Sequence, residues 1–181
     1  KVKMENPPLI DVVPDGTHAM FSGAGNDFGC AADKGHGMVI ALPDMKDHGD
    51  ATAATLKFKT KYEMEWDYDY GFVLVSTNGG QSWTSLASKN GTTIAAPHPA
   101  NQNGCFTTWN NGITGVSGDP NIEANPNRAS GTYPAAQWID DEYDLTPYKG
   151  QELLIALSYE TDPGLAKKGW FVDQLSVTLT K

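Results

Sequence analysis

Residues 56–66 read Leu-Lys-Phe-Lys-Thr-Lys-Tyr-Glu-Met-Glu-Trp, and this stretch decides the fold class. Uncharged side chains, most of them apolar, alternate with charged ones at every second position. Because successive side chains of a β-strand point to opposite faces, the pattern predicts a strand with one face on a core. The other face, which includes Glu65, is expected to lie in water. A half-buried strand of this kind is typical of an antiparallel sheet.

Similar alternation recurs along the chain between turns rich in Gly and Pro. Longer strands are predicted over residues 70–77, 82–86, 152–159 and 170–180, and shorter ones over residues 19–22, 37–42, 92–95 and 137–140. Eight or more strands with few helix signals indicate one all-β domain over residues 1–181, built as a β-sandwich or jelly roll of two antiparallel sheets. Residues 96–135 have little periodicity, and a loop of this length is usually functional or held by a ligand or crosslink.

The net charge of -9 and the isoelectric point of about 4.7 make nucleic acid an unlikely partner, because an acidic surface repels phosphates. No apolar run is long enough to span a membrane. The chain starts at Lys1 without an initiator Met or a signal peptide, so we expect a piece excised or processed from a larger protein.

The two cysteines, Cys30 and Cys105, are far apart and have no Cys or His at zinc-ligand spacing. Two alternatives stay open. In an oxidising compartment they form one disulfide that pins the long loop, or they are two free buried thiols.

Catalytic motifs are absent from the sequence. None of the four histidines is four residues from another, so there is no HExxH zinc helix, and neither GxSxG nor a P-loop occurs. The sequence therefore predicts a chain without a catalytic site of its own.

The carboxylates suggest a calcium site instead. In the last predicted strand Asp173 alternates in phase with Phe171 and Leu175, so it is expected to project from the apolar face. A buried carboxylate must be neutralised, paired or bound to a metal, and calcium takes oxygen ligands. The alternative is that Asp173 lies at the edge of the core, accepts hydrogen bonds from backbone N–H groups and binds no ion.

Further oxygen ligands would come from Asp27, in the polar turn 22–27, and from Asp67 and Asp69 between two strands. The acidic residues 140–142 are another source. None of these segments has the 12-residue order of an EF-hand.

A carbohydrate-binding or adhesion module of an extracellular enzyme or surface protein is the alternative function, with a glycan or protein at the cell surface as partner. It needs exposed aromatic platforms, and Trp109 and Tyr133 are the aromatic residues that a core explains least because they lie in the long loop.

Residues 76–83, Ser-Thr-Asn-Gly-Gly-Gln-Ser-Trp, predict a hairpin, since Asn-Gly tolerates positive φ. They resemble the Asp-box hairpin of β-propellers, Ser-x-Asp-x-Gly-x-x-Trp, with Asn78 in the place of the Asp. A single copy indicates a structural device in which Trp83 folds over the turn and Asn78 caps it.

Several motifs in order resemble one known family. They are Phe21–Asp27, Glu63, Trp66–Val73, Val75–Trp83, Asn111–Gly118, Asp144–Gln151, Tyr159–Asp162 and Gly169–Asp173. Together they resemble the β-sandwich accessory domain of the immune inhibitor A family of secreted bacterial metallopeptidases.

The resemblance implies a jelly roll similar to MAM and galactose-binding-like domains. It also implies a secreted parent whose catalytic zinc domain lies outside these residues and is the partner of this domain. Related jelly rolls carry a structural calcium between an early loop and the last strand, which corresponds to Asp27 and Asp173.

Overall fold

The computed structural model describes residues 13–22, 36–95, 109–119, 133–165 and 167–181. Ten strands, β1 to β10, lie within these ranges, with 3₁₀ helices at Pro43–His48 and Thr146–Tyr148. The strands are Met20–Phe21, His36–Leu42, Ala53–Glu63, Tyr70–Ser76, Thr84–Ser85, Thr93–Ala95, Asn111–Ile113, Ile139–Asp144, Leu153–Glu160 and Gly169–Thr180.

The strands form two antiparallel sheets. The four-stranded sheet has the order β1-β10-β3-β8, and the six-stranded sheet has the order β2-β9-β4-β7-β6 with β5 paired to β4. The main hydrophobic core takes side chains from both sheets, for example Phe58 of β3, Val73 of β4 and Ile155 of β9. The predicted all-β sandwich is confirmed. Its finer assignment as a jelly roll stays a prediction.

In the described part of the chain, no helix is both long and apolar enough to cross a membrane.

The alternation that predicted β3 is present along the whole strand. Every second residue from Ala54 to Tyr62 is buried. On the outer face, Lys57 and Lys59 form ion pairs with Glu142 and Asp140 of the neighbouring β8. The strand ends at Glu63, however, three residues before the predicted end, and Glu65 is buried rather than exposed to water.

One short strand lies where the sequence predicted an irregular loop. Asn111–Ile113, β7, pairs with β6 on one side and with Gly71 of β4 on the other. Three residues are too few for an alternation to be recognised, so this strand depends on pairing with distant parts of the chain.

The predicted orientation of Asp173 is wrong, because a β-bulge interrupts β10. Opposite β3, the register jumps from Asp173↔Lys59 to Ser176↔Lys57, and Gln174 has a φ of 52°. The extra residue reverses the alternation. Before the bulge Trp170 and Val172 face the core, whereas Asp173 shares the outer face with Lys59.

Asp173 is half-buried there. Its two carboxylate oxygens accept the backbone N–H groups of Asp15 at 3.0 Å and of Gln174 at 2.8 Å. These contacts correspond to the alternative in which Asp173 accepts backbone hydrogen bonds, and its role as a metal ligand stays a prediction.

The hairpin between β4 and β5 has the predicted construction. The Oδ1 atom of Asn78 accepts the N–H of Ser82 at 3.0 Å, and the Trp83 ring lies 3.5 Å from where a Cβ of Gly80 would be. The residues with positive φ are Gly79 and Gly80, not Asn78.

Candidate metal centre

The turn of residues 64–69 leads the chain from β3 in one sheet to β4 in the other. The Glu65 carbonyl accepts the N–H groups of Tyr68 at 3.2 Å and Asp69 at 3.0 Å, which closes a helix-like turn. Asp67 has a left-handed φ of 67°, and its N–H donates to Oγ1 of Thr114 at 3.0 Å. Glu65 and Asp69 are buried, with only 7% and 1% of their residue surface exposed.

A second crossover, residues 161–168, returns the chain from β9 to β10. Its Asp162 N–H donates to Oδ1 of Asp69 at 3.3 Å, and its Leu165 N–H donates to Oε2 of Glu65 at 3.3 Å. Because β4 and β9 are antiparallel neighbours, the start of β4 lies beside the end of β9. The β3–β4 and β9–β10 connections between the sheets therefore meet at these carboxylates.

Glu65, Asp69 and Asp162 form the acidic cluster. One carboxylate oxygen of each lies within 4.8 Å of the others, and it is the one group of this kind found among the described residues. Each additional negative charge at such a separation disfavours ionisation of the others.

The electrostatics of the cluster agree with this crowding. Burial and, after it, the negative charge of Glu65 raise the pKa of Asp69 to about 7, although backbone N–H groups act in the opposite direction. Burial and the charge of Asp162 raise the pKa of Glu65, while the Leu165 N–H and Lys167 lower it. Without a cation, the fully ionised cluster is therefore unfavourable near neutral pH.

Two tyrosines surround the cluster. The Tyr159 hydroxyl donates to Oδ2 of Asp69 at 3.3 Å. The Tyr133 hydroxyl accepts the N–H of Trp66 at 2.8 Å, and Nζ of Lys167 lies 4.6 Å from the centroid of the Tyr133 ring. These contacts fix the position of the turn of residues 64–69.

The donor set is chemically suited to a hard divalent cation. It consists of oxygens only, and three carboxylates supply between three and six of the six to eight ligands that calcium takes. Soft metals would require Cys or His, and the cluster contains neither.

The structure places one predicted ligand, Asp69, in the cluster. Asp67 is also buried, but its Oδ1 atom accepts the Tyr70 hydroxyl at 2.5 Å, and Asp67 is outside the acidic cluster. Asp27 lies outside the described residues, as do Cys30 and Cys105.

The two predicted sugar-binding aromatics both make internal contacts. Trp109 is half-buried, and its Nε1–H donates to Oε1 of Glu160 at 3.0 Å. Tyr133 is half-buried next to Trp66 and Lys167. Their role in glycan binding stays a prediction.

Two members of the cluster, Glu65 and Asp162, were not predicted as ligands. The predicted strand runs to Trp66, past the end of β3 at Glu63, and this puts Glu65 on the wet face. Asp162 lies in the motif Tyr159–Asp162, but the motif does not indicate a metal ligand. The pairing of β4 with β9 is the signal that would identify these ligands. It places Tyr70 opposite Glu160 and therefore brings Asp69 next to the residues that follow Glu160.

The acidic residues 140–142 have a different arrangement. Asp140 and Glu142 pair with lysines of β3, as described above. Asp141 is fully buried and accepts hydroxyl groups of Ser88 at 2.5 Å, Thr92 at 2.6 Å and Tyr143 at 2.7 Å. Asp141 is therefore satisfied by protein donors.

Similarity to known proteins is partial. The chain is 25% identical over 138 residues to bacillopeptidase F from Bacillus subtilis (strain 168), which covers 76% of the chain and 7% of that protein. It is 39% identical over 57 residues to immune inhibitor A from Bacillus thuringiensis subsp. alesti, which covers 32% of the chain and 8% of that protein. No protein-family model matches the chain. The chain is thus similar to short segments of two much longer Bacillus proteins, and one of these is immune inhibitor A, the protein whose family its motifs resemble.

Proposed function

We propose that this chain is a non-catalytic accessory domain of a larger secreted peptidase related to immune inhibitor A. The observation that carries the proposal is the extent of the two similarities, each of which covers less than a tenth of the relative. A match confined to a small part of a much longer protein is typical of a domain attached to other domains. The absence of catalytic motifs from the sequence agrees with this role.

We further propose that a calcium ion bound by Glu65, Asp69 and Asp162 stabilises the domain. The ion would neutralise carboxylates that are costly to bury together and would hold the β3–β4 and β9–β10 connections in place. Water or backbone carbonyls would fill the remaining coordination positions.

Thermal melting with calcium and with a chelator tests the metal. At free calcium about 100-fold above the dissociation constant, binding to the folded state alone adds about 2.7 kcal/mol to the free energy of unfolding. For a domain of this size the melting temperature should rise by about 5–10 °C.

The matched variants are Asp162→Asn and Asp140→Asn. Without calcium, Asp162→Asn should melt at or above the wild-type temperature, because it removes a like charge from the cluster, and it should lose the response to calcium. Asp140→Asn, outside the cluster, should keep the full response. An unchanged wild-type melting temperature, with no metal detected by elemental analysis, would refute the metal site.

The accessory role has a separate test. The purified chain should not hydrolyse casein, whereas deletion of these residues from the complete natural protein should lower the yield of active peptidase in the culture medium. Hydrolysis by the purified chain that persists through repeated purification, or a complete protein without any peptidase activity, would contradict the proposal.

A further inference from the structure

Asn-Gly pairs occur in the sequence at residues 78–79, 90–91, 103–104 and 111–112. In such a pair the side-chain amide of Asn can react with the amide nitrogen of the next residue, because glycine has no Cβ to obstruct the approach. Asparagine is one of the thermolabile residues for this reason. The pair 103–104 lies outside the described residues, and the surroundings of the other three pairs differ.

The pair 111–112 is held within a sheet. Asn111 is half-buried in β7, and its Nδ2 donates to the carbonyl and hydroxyl oxygens of Ser85 at 3.3 and 3.4 Å. Gly112 is buried and lies opposite Ile94 of β6. The reacting groups of this pair can meet only if the strand pairing opens.

The pair 78–79 is exposed, but the Asn78 side chain is held by three hydrogen bonds. Its Oδ1 atom accepts the Ser76 hydroxyl at 2.9 Å and the Ser82 N–H at 3.0 Å. Its Nδ2 atom donates to the Ser82 hydroxyl at 2.8 Å. These bonds must break before the side chain can turn toward the nitrogen of Gly79.

The pair 90–91 is held least. Asn90 is exposed between β5 and β6, and within the described part of the chain its side chain makes one hydrogen bond, from Nδ2 to the Asp140 carbonyl at 3.0 Å. Gly91 is also exposed, has a φ of 77°, and would have nothing within 4 Å of an added Cβ. Neither strand pairing nor a set of side-chain bonds separates the reacting groups.

We propose that Asn90 is a site of spontaneous deamidation in the folded domain. The Gly91 nitrogen attacks Cγ of Asn90, and the side-chain amide leaves as ammonia with the proton that the Gly91 nitrogen loses. This step forms a five-membered succinimide. Water then opens the ring at either of its two carbonyls, which leaves an aspartate or an isoaspartate at position 90.

The product weakens the contact between the segment 88–92 and β8. The new carboxylate lacks the N–H that donates to the Asp140 carbonyl, and it adds a negative charge beside the acidic residues 140–142. Isoaspartate also inserts a methylene group into the main chain between Ser88 and Thr92. The hydroxyls of these two residues donate to the buried Asp141 at 2.5 and 2.6 Å, so their spacing determines whether both bonds are kept.

The direct test compares the three pairs in one sample. The folded chain is incubated at mildly alkaline pH, digested with pepsin in acid to limit further reaction, and sequenced by mass spectrometry. Position 90 should gain the mass of deamidation several times faster than positions 78 and 111, and isoaspartate methyltransferase should label it. In urea the three rates should converge. Equal rates in the folded chain, or the same order of rates in urea, would overturn the proposal.

Ser82→Ala tests whether local hydrogen bonds set these rates. The variant removes the acceptor of the Asn78 Nδ2 group, so position 78 should react faster than in the wild type while position 90 is unchanged. Asn90→Gln is the matched control and should abolish the product at position 90 alone. An unchanged rate at position 78 in Ser82→Ala would contradict the protective role of its hydrogen bonds.

The structural consequence has its own measurement. The deamidated chain carries one more negative charge and can be separated from the unmodified chain by anion exchange. It should unfold at a lower urea concentration, and the isoaspartate form should be less stable than Asn90→Asp, which keeps the normal main chain. Identical unfolding of the modified and unmodified chains would show that position 90 does not support the contact with β8.

Discussion

Asp141→Asn should destabilise the fold far more than its exposed neighbour does. The Asp141 carboxylate is fully buried and accepts four donors, namely the hydroxyls of Ser88, Thr92 and Tyr143 and the N–H of Glu142. It joins β8 to the segment between β5 and β6. Asparagine keeps the volume, so the substitution changes hydrogen bonding without creating a cavity.

The magnitude follows from the number of donors. A hydrogen bond to a charged group contributes about 1.5–3 kcal/mol net. Asparagine keeps one acceptor oxygen and turns the other into a donor, so about half of the four bonds are lost, although the hydroxyls can rotate to recover part. We expect the free energy of unfolding to fall by about 3 kcal/mol, a large fraction of the total for a domain of this size.

Urea unfolding monitored by tryptophan fluorescence measures the change. Asp140→Asn is the control. The Asp140 side chain is 73% exposed and pairs with Lys59, so its loss should cost less than about 1 kcal/mol. Ser88→Ala should lower the free energy of unfolding less in the Asp141→Asn background than in the wild type, since both changes remove the hydrogen bond between Ser88 and Asp141. A loss below about 1 kcal/mol at an unchanged m-value would refute the reasoning.

Two further predictions concern the acidic cluster and the hairpin. With chelator present, the free energy of unfolding should fall as the pH rises from about 4 to 7, because the pKa of Asp69 is raised from 3.8 to about 7 in the folded state. Asp69→Asn should make this fall with pH less steep in denaturant titrations. An equally steep fall in the variant would contradict the raised pKa of Asp69. Asn78→Ala should lower the free energy of unfolding by about 1–2 kcal/mol, because it removes the acceptor of the Ser82 N–H. Asn78→Asp keeps the acceptor and should leave the free energy of unfolding nearly unchanged in the same assay. Equal losses in the two variants would exclude the capping role of Asn78.

The sequence predicts the fold well wherever one strand face meets the core without interruption. In β3 the alternation from Ala54 to Tyr62 reports burial directly, because an antiparallel strand of a sandwich has one dry face and one wet face. The Asn78 hairpin is also predictable, since its geometry depends on residues close together in the chain. Short strands such as Asn111–Ile113 carry no such local signal.

The candidate site is less predictable because it depends on breaks in the strands. Period-two reasoning placed Asp173 on the core face, but one extra residue at the bulge moved it to the outer face. The same alternation predicts Glu65 in water. However, β3 ends at Glu63, two residues before Glu65, and the turn that follows directs the Glu65 side chain inward. Asp162 joins the cluster only through the pairing of β4 with β9, which no local pattern encodes.

The contrast between two buried carboxylates favours a cation at the acidic cluster. Asp141 is surrounded by hydroxyl and N–H donors, so its charge is accommodated without an ion. Asp69 is equally buried, yet its neighbours include the carboxylates of Glu65 and Asp162. The hydrogen bonds that its carboxylate accepts from Tyr159 and from the Asp162 N–H are both long at 3.3 Å. Three carboxylates this close together repel one another, and apolar residues of similar volume would stabilise the connection better. The position of all three acids where the β3–β4 and β9–β10 connections meet therefore supports the proposal that a divalent cation neutralises them and holds these two connections together.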